Sequence, residues 1–338
     1  MRKTLATTIF AAGMALLAGA ASAQTLRYGM TLPQGENADW RAATAFKAYV
    51  EFNTGGKVKV EIFPSNQLGG EREMTEQVRD GALDIAFVAD GAVSGFYPKL
   101  QVFAIPYLFP SAPIAWEVLR GPVVQKMAAD IDKTMGLTVL NFSENGFRDF
   151  TNSKHAIRTP ADMQGLKMRT MESPVYIKMM QSMGSAATPI SAAEMVMALQ
   201  QKVVDGQENA PSTINMMGIA DVQKFMSTDE HVFSAMLLLM ANDSLEKLTP
   251  DQRKVVHDAA MLQASVNNSE RARSTQANID AIKAKGVEVY MTSPAEKELF
   301  RAAAQAPVVE YIRAQVGNEL VDAMLGDVKR AQTVVYGE

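Results

Sequence analysis

Two arginines offer the clearest chemistry in this sequence. Arg148 ends the run Asn145–Arg148 just beyond a predicted strand, and Arg169 ends the run Gly165–Arg169 at the close of another. The ends of strands present side chains to the ligand cleft in α/β proteins. A guanidinium is a planar, permanently charged fork that binds a carboxylate through two parallel hydrogen bonds. The two arginines therefore predict a receptor for an organic anion.

The same two arginines also fit a plainer interpretation. Both side chains could lie on the surface and pair with neighbouring acids such as Asp149 or Glu172. Exposed ion pairs of that kind are common and contribute little to stability. The spacing of the residues alone leaves both interpretations open.

Hydrolytic and metal-dependent chemistry find little support. The run Gly91–Gly95 places its serine one position too late for a nucleophile elbow. No glycine-rich phosphate loop precedes a helix, and the acidic residues do not cluster in an oxygen-ligand loop. The histidines are far apart and lack the spacing of metal ligands: His155, His231 and His257. We therefore expect no enzyme, no cofactor and no metal site.

The composition describes a mildly acidic chain without cysteine. Its 338 residues include 33 Lys and Arg against 37 Asp and Glu. This charge balance argues against nucleic acid and anionic membranes as partners. Without cysteine there is no disulfide, no thiolate metal site and no lipid-bearing residue. Stability must come from a conventional core, which a chain of this length can bury.

The first 23 residues have the organisation of a secretory signal. Arg2 and Lys3 precede the apolar run Ile9–Ala20, and Ala21–Ala23 then supplies an Ala-x-Ala cleavage site. The apolar run is too short to span a bilayer. We predict a signal peptide over residues 1–23, whose removal changes the formal net charge from −4 to −6.

The rest of the chain alternates between strand and helix patterns. Three strands alternate with two helices in the first part, over residues 25–31, 39–52, 57–63, 71–79 and 83–88. A second set comprises strands over 137–142 and 165–169, a helix from Ser173-Pro174 and a helix from Ser191 to Gly206. Alternation of this kind is typical of α/β lobes with largely parallel sheets.

One helix is predicted to be much longer than the others. Thr249-Pro250 followed by Gln252 is a helix-start signal, and neither Gly nor Pro interrupts the chain again until Gly286. About 35 helical residues extend for about 50 Å. That length exceeds one small lobe, so we predict that this helix braces two.

Five short runs along the chain carry a resemblance to a known family: Phe63–Gly69, Ala104–Phe109, Asn145–Arg148, Asp162–Arg169 and Val204–Asn209. Through them, from Leu26 to about Asp327, the chain resembles the solute-binding proteins of tripartite ATP-independent periplasmic (TRAP) transporters, the four-carbon-dicarboxylate-binding (DctP) family. The resemblance implies an α/β, two-lobe periplasmic binding protein of type II-like fold, with a hinge and one long helix bracing both lobes. We place lobe I at residues 24–146 and about 235–274, and lobe II at 147–234 and about 275–338.

The resemblance also assigns roles to individual residues. In that family the arginine that closes the Gly-Leu-Lys-x-Arg run, here Arg169, forms the salt bridge to the ligand carboxylate. Arg148 would supply a second contact, and Asn209 would hydrogen-bond the ligand. Without the resemblance, Asn209 is as easily a turn residue beside Pro211. Three acids complete the set of candidate ligand-binding residues: Glu172, Glu71 and Asp90.

Departures from the family pattern bear on the ligand. The family often has an aromatic residue where Ala192 stands and Val-Pro where Thr170-Met171 stands. A carboxylate at Glu172 facing the cleft would repel a second ligand carboxylate but accept hydrogen bonds from hydroxyl groups. These features favour a hydroxylated monocarboxylate, such as a sugar acid.

The predicted function is therefore a periplasmic receptor that captures an organic acid by lobe closure and delivers it to a TRAP membrane permease. We expect it to act as a monomer, without nucleic acid as a partner. Two alternatives remain at this point. The ligand could be a four-carbon dicarboxylate, or the chain could present its ligand to a membrane sensor instead of a permease.

Overall fold

The computed structural model describes residues 24–337, so the predicted signal peptide lies outside the described residues. Residues 24–337 form nine strands and twelve α-helices. The strands are β1 Gln24–Met30, β2 Val58–Phe63, β3 Ile85–Ala89, β4 Leu137–Asn152, β5 Lys167–Thr170, β6 Ala186–Pro189, β7 Gly206–Asn209, β8 Phe225–Ala241 and β9 Glu288–Tyr290. Within this range no helix is both long and apolar enough to cross a membrane.

The helices vary from one turn to ten. The first six are α1 Ala38–Asn53, α2 Glu71–Arg79, α3 Asp90–Val93, α4 Ala112–Leu119, α5 Pro122–Met135 and α6 Pro174–Ser182. The others are α7 Ala192–Gln200, α8 Pro211–Met216, α9 Asn242–Glu246, α10 Pro250–Ala284, α11 Pro294–Val316 and α12 Asn318–Tyr336. Short 3₁₀ segments at Pro98–Ala104, Pro160–Met163 and Ile219–Asp221 complete the regular structure of residues 24–337.

All nine strands belong to one mixed sheet with the order β2-β1-β3-β8-β4-β7-β5-β6, and β9 pairs with β8. The predicted first α/β unit is confirmed, because β1 pairs in parallel with both β2 and β3. A second parallel set, β7-β5-β6, lies at the other end of the sheet. The long antiparallel strands β4 and β8 connect the two sets. This α/β architecture is the one expected from the alternating sequence pattern.

The length of β4 corrects one prediction from the sequence. We expected a strand over residues 137–142, with Arg148 beyond its end, but the strand continues to Asn152 and Arg148 lies inside it. Pairing with β8 along this length maintains the strand through three register shifts, one of them between Glu144 and Gly146. Gly146 fits there because its φ of +123° is open to glycine and an added Cβ would lie 2.9 Å from Ala210 Cβ.

The helix predicted from Ser191 to Gly206 is also shorter than expected. It ends at Gln200, and β7 begins at Gly206. A Cβ at position 206 would lie 2.2 Å from the Thr151 carbonyl oxygen, so only glycine allows β7 to approach β4 this closely. The helix itself ends in a local C-terminal turn, in which Lys202 adopts a φ of +57° and the Val203 N–H donates to the Ala198 carbonyl.

The long helix α10 is confirmed over 35 residues. The Thr249 hydroxyl accepts a hydrogen bond from the Gln252 backbone N–H, and the Gln252 side chain accepts one from the Thr249 N–H, which forms a reciprocal cap. α10 packs against α1, beside the first parallel set, and against α8 and β9, beside the second. It therefore braces both halves of the molecule, as its length indicates.

Candidate functional site

A cavity lies between the two parallel strand sets and contains about 410 Å³ of empty space, part of which is open to solvent. Its polar wall comprises Thr31, Asp39, Glu71, Asn145, Arg148, Arg169, Asn209 and Thr213. Its apolar wall comprises Leu32, Ala89, Met171, Ala192, Met217 and Met236. An apolar lining with a few convergent polar groups is typical of sites for small molecules.

Arg169 is a buried cation without a carboxylate partner. It is the third residue of β5, its side chain is 2% exposed, and its Nε donates a 2.7 Å hydrogen bond to the Ile190 carbonyl. Within residues 24–337 no acid lies within ion-pair distance of it, and its Nη groups have no hydrogen-bond partner. Burial lowers the pKa of Arg169 to about 10. The side chain therefore reaches the cavity without a direct ion pair, although the carboxylates of Glu208, Glu71 and Glu172 act on its charge from a greater distance.

Arg148 is also buried but is held by an acid. Its Nη2 donates to Glu208 Oε1 at 2.9 Å and to the Glu208 carbonyl at 2.6 Å, and its Nε donates to Glu208 Oε2. Burial opposes the charged form of Arg148, but the Glu208 carboxylate raises the pKa of the guanidinium above its ordinary value. Its Nη1 is buried without a partner in the described part of the chain. One guanidinium nitrogen of Arg148 therefore remains free to donate a hydrogen bond at the cavity wall.

Glu208 is fixed from its other side by a histidine. His231 Nε2 lies 3.4 Å from Glu208 Oε2, and His231 Nδ1 lies 2.9 Å from Asp229 Oδ2. The imidazole stacks on the Phe150 ring, with 4.1 Å between ring centroids. Burial disfavours the imidazolium, but Asp229 and then Glu208 raise the pKa of His231 to about 9. This pair of contacts holds Glu208, and through it Arg148, in one orientation.

The third residue assigned by the resemblance also reaches the cavity. Asn209 ends β7 and lines the wall, where its Nδ2 donates to Gln207 Oε1 at 2.8 Å. Arg148, Arg169 and Asn209 come from β4, β5 and β7, which are neighbours in the sheet order. Three of the five sequence runs, Asn145–Arg148, Asp162–Arg169 and Val204–Asn209, therefore contribute residues to a single cavity.

The three candidate acids have different locations. Glu71 begins α2 and lines the cavity, where its Oε1 accepts a 3.1 Å hydrogen bond from the Ala89 N–H, and burial raises its pKa. Asp90 is buried outside the cavity wall; its carboxylate accepts from Ser234 Oγ and the Ala235 N–H, and burial raises its pKa to about 6. Glu172 is partly buried and also lies outside the wall. Ligand contact by Asp90 and Glu172 stays a prediction.

Sequence reasoning missed several lining residues, of which Asp39 is the most informative. Asp39 is 3% exposed in the first turn of α1, and its Oδ1 accepts a 2.6 Å hydrogen bond from Arg271 Nη2. No local pattern connects two residues 232 positions apart. Asn145 does carry a signal in the sequence, because it opens the run that ends at Arg148. Thr31 and Thr213 give no signal in the sequence beyond their type.

The charges around the cavity nearly balance in pairs. Arg148 is matched by Glu208 and Arg271 by Asp39, whereas Arg169 has no such partner. Among residues 24–337, no group of three or more His, Asp or Glu side chains could hold a metal ion. The arrangement can therefore bind a small anion through Arg169 and Arg148, while carboxylate and amide groups of the wall meet its polar substituents.

Comparisons with known proteins agree with this geometry. The sequence profile of the family described as "Bacterial extracellular solute-binding protein, family 7" matches residues 28–315. A solute-binding protein from Verminephrobacter eiseniae is 35% identical over 315 residues, which cover 93% of this chain and 91% of that protein. The 2,3-diketo-L-gulonate-binding periplasmic protein of Escherichia coli is 31% identical over 282 residues, which cover 83% of this chain and 85% of that protein.

A solved structure shows the same architecture. The sugar acid binding protein of Advenella mimigardefordensis, in complex with galactonate, superposes with a TM-score of 0.88 at 30% identity and covers 91% of this chain and 98% of its own. The fold is thus that of the two-lobe periplasmic binding proteins of TRAP transporters. Together with the profile match over residues 28–315, this shows that the chain belongs to the family 7 bacterial extracellular solute-binding proteins, the solute-binding proteins of TRAP transporters.

Proposed function

We propose that this protein is a periplasmic receptor that captures a sugar acid through a salt bridge between Arg169 and the ligand carboxylate. The observation that carries the proposal is the burial of the Arg169 guanidinium without any carboxylate at ion-pair distance among residues 24–337. Breaking or omitting one partner of a buried ion pair is strongly unfavourable. A ligand carboxylate would supply the missing partner and two directional hydrogen bonds.

Closure of the lobes follows from the same argument. In an open form, water solvates Arg169 and its charge costs little. Closing the lobes removes that water, so the closed form is favoured only when an anion replaces it. The ligand thus shifts the equilibrium through its stronger contacts with the closed form. We propose that the TRAP permease recognises this closed form, and that the protein acts as a monomer without catalysis.

The lobe boundaries proposed from the sequence fit this motion. They cross the sheet near residues 146 and 235, within β4 and β8. The register shift between Glu144 and Gly146 lies at that crossing, where the ladder is locally interrupted. We therefore propose a hinge there, with residues 24–146 and about 235–274 in one lobe and residues 147–234 and about 275 onward in the other.

Two features favour a hydroxylated monocarboxylate over a simple dicarboxylate. The cavity wall carries the carboxylates of Glu71 and Asp39, which accept hydrogen bonds from hydroxyl groups and repel a second ligand carboxylate. The Advenella relative was solved with galactonate, and the Escherichia coli relative is named for 2,3-diketo-L-gulonate; both ligands are sugar acids. The small side chain of Ala192 leaves room beside Met171 for a hydroxylated carbon chain.

The periplasmic location rests on the family and on the predicted signal peptide over residues 1–23. Cleavage after Ala23 would leave Gln24, the first residue of β1, as the new N-terminus. N-terminal sequencing of protein recovered from an osmotic-shock fraction tests this, and an uncleaved cytoplasmic product would contradict it.

Mass spectrometry of the small molecule released from purified, denatured protein tests the ligand. We expect an aldonate, uronate or keto-sugar acid. A melting-temperature panel of galactonate, glucuronate, galacturonate, erythronate, succinate and malate provides the second measurement, because a ligand that binds the folded state raises the melting temperature by mass action. Tighter binding of succinate or malate than of every sugar acid would reject the proposal. Turnover of any panel member would reject a purely binding role.

A further inference from the structure

A second ion pair joins the cavity wall to the long helix. Asp39 in α1 lines the cavity, and its Oδ1 accepts hydrogen bonds from Arg271 Nη2 at 2.6 Å and from Asn267 Nδ2 at 2.9 Å. Both donors approach the same oxygen. Asp39 Oδ2 accepts no hydrogen bond from any other residue in the range 24–337. One carboxylate oxygen is therefore anchored, and the other is left for whatever occupies the cavity.

Arg271 is held as firmly as Asp39. It is 3% exposed in the middle of α10, and its Nη1 donates to Ser212 Oγ at the start of α8, three residues after the cavity residue Asn209. The guanidinium thus bridges α1 and α8, both of which pack on α10. A planar fork with donors in fixed directions can make both contacts at once, whereas a lysine ammonium has no such fixed fork.

This arrangement gives the free oxygen of Asp39 a defined chemistry. A carboxylate oxygen only accepts hydrogen bonds. It suits a ligand hydroxyl, which donates to it in a charge-assisted bond, and it opposes a ligand carboxylate, which can only accept. Arg169 in the same cavity has the opposite preference, because its guanidinium has no direct ion pair among residues 24–337 and attracts an acid group. The two residues would therefore distinguish the acid end of a ligand from its hydroxylated part.

Arg271 is needed for Asp39 to act in this way. A carboxylate that is 3% exposed and lacks a cation would be an isolated buried charge, which is strongly unfavourable. Without Arg271 the side chain of Asp39 would turn away towards water or another donor, and Oδ2 would no longer face the ligand. Arg271 is thus a positioning residue that acts on the ligand through Asp39.

We infer that the Arg271–Asp39 pair determines specificity in this receptor, by presenting Asp39 Oδ2 as a hydrogen-bond acceptor for a hydroxyl group of a polyhydroxy monocarboxylate and so disfavouring dicarboxylates. The inference rests on the proposed function and deepens it. Arg271 of the long helix α10 lies outside the cavity wall, and the inference adds it to the residues that determine which ligand binds.

The decisive variant is Asp39→Asn. Arg271 and Asn267 both donate, so they will hold the amide oxygen and leave the amide N–H₂ facing the cavity. This replaces a charged acceptor by a neutral donor with almost no change of shape. Calorimetric titration should show affinity for the best-bound sugar acid of the panel falling about 10- to 100-fold, the range for a hydrogen bond to a charged group. Affinity for succinate should stay the same or rise.

Arg271→Met tests the positioning role. It should weaken binding of the same sugar acid in the same direction, and the double variant Asp39→Asn/Arg271→Met should bind about as weakly as the weaker single variant, because the two residues act as one unit. Circular dichroism melting of each ligand-free variant checks the fold. If Arg271→Met does not fold, Asp39→Asn alone decides, because its ratio of sugar-acid to succinate affinity reports selectivity and not stability.

Asp327→Asn is the matched control. Asp327 is a buried aspartate paired with Arg330 on α12, and neither residue lines the cavity. The melting temperature of this variant should fall, while its ratio of sugar-acid to succinate affinity stays within about twofold of the wild type. An unchanged ratio of sugar-acid to succinate affinity in Asp39→Asn overturns the inference. It leaves the proposed function intact, provided that Arg169→Ala still weakens sugar-acid binding strongly. A wild-type protein that prefers succinate to every sugar acid overturns both.

Discussion

Ser94 Oγ and Ser173 Oγ lie 2.7 Å apart in a buried hydrogen bond that joins α3 to the start of α6. The two residues fall in different lobes under the proposed boundaries. Close packing accompanies the bond, since a Cβ added to Gly91 would lie 2.5 Å from Met171 Cε. Neither serine lines the ligand cavity. Under the proposed boundaries, the contact therefore joins the two lobes from outside the ligand cavity.

Ser94→Ala should weaken ligand binding without touching the ligand. The variant removes one hydrogen bond from the closed form, and a bond of this kind contributes about 0.5–1.5 kcal/mol. Calorimetric titration should show that loss in the binding free energy, because closure and binding are coupled. Ser265→Ala is the control, since Ser265 is exposed on α10 and should leave affinity unchanged. Equal affinity in Ser94→Ala and wild type would show that the bond does not stabilise the bound state.

Arg169→Ala should cause the largest single loss of affinity. Removing one partner of a desolvated charge pair costs about 2–5 kcal/mol of binding free energy. Arg169→Lys keeps the charge but loses the planar fork that fits a carboxylate, so its affinity should lie between those of Arg169→Ala and the wild type. Titration with the best-bound acid of the panel measures both. Near-normal affinity of Arg169→Ala would reject the proposed salt bridge.

Much of the fold could be predicted because local signals agree with tertiary packing. Gly and Pro residues bound the elements of the first α/β unit. The N-terminal cap of α10 is formed within four consecutive residues, Thr249 to Gln252. The full extent of β4 was not predictable in this way. Its second half has polar residues and Gly146, and it stays a strand because β8, roughly ninety residues later, pairs with it.

The candidate site likewise contains residues that local sequence runs reveal and residues that only long-range contacts define. Arg148, Arg169 and Asn209 stand in runs with a family resemblance, and the structure brings all three to one cavity. The contacts of Asp39 with Arg271 and of Ser173 with Ser94 leave no local pattern, because the partners are 232 and 79 residues apart. Residue types this common acquire a role only from the contact itself. Sequence reasoning therefore finds the cavity residues Arg169, Arg148, Asn209 and Glu71, and it misses Asp39 and the Ser94–Ser173 contact.

Glu208→Gln should affect both stability and binding. The change leaves the Arg148 guanidinium buried without its carboxylate, and breaking a buried pair in this way costs about 3–5 kcal/mol. Arg148 also loses the contact that orients it at the cavity wall, so ligand affinity should fall. Urea unfolding and calorimetric titration measure the two effects.

Glu310→Gln is the control for that experiment. Glu310 is exposed on α11 and lies away from the cavity wall. We expect its stability and affinity to match the wild type. Losses comparable to those of Glu208→Gln would show that the effect does not come from the buried Arg148–Glu208 pair.

Stability should fall as pH rises from about 6.5 to about 9, because of His231. Its pKa in the folded protein is raised to about 9, chiefly by Asp229 and Glu208 acting against burial, with Asp149 also nearby. The unfolded histidine has a pKa of about 6.5, so the folded state binds more protons within this window, and the stabilisation present below pH 6.5 is lost on the way to pH 9. Urea unfolding at intervals across the window should show a decrease of a few kcal/mol that is smaller in His231→Gln. The His231 imidazole resonance can be assigned by proton NMR, because it is absent from the spectrum of His231→Gln. We expect this resonance to titrate near pH 9, and titration at or below pH 6.5 would contradict the prediction.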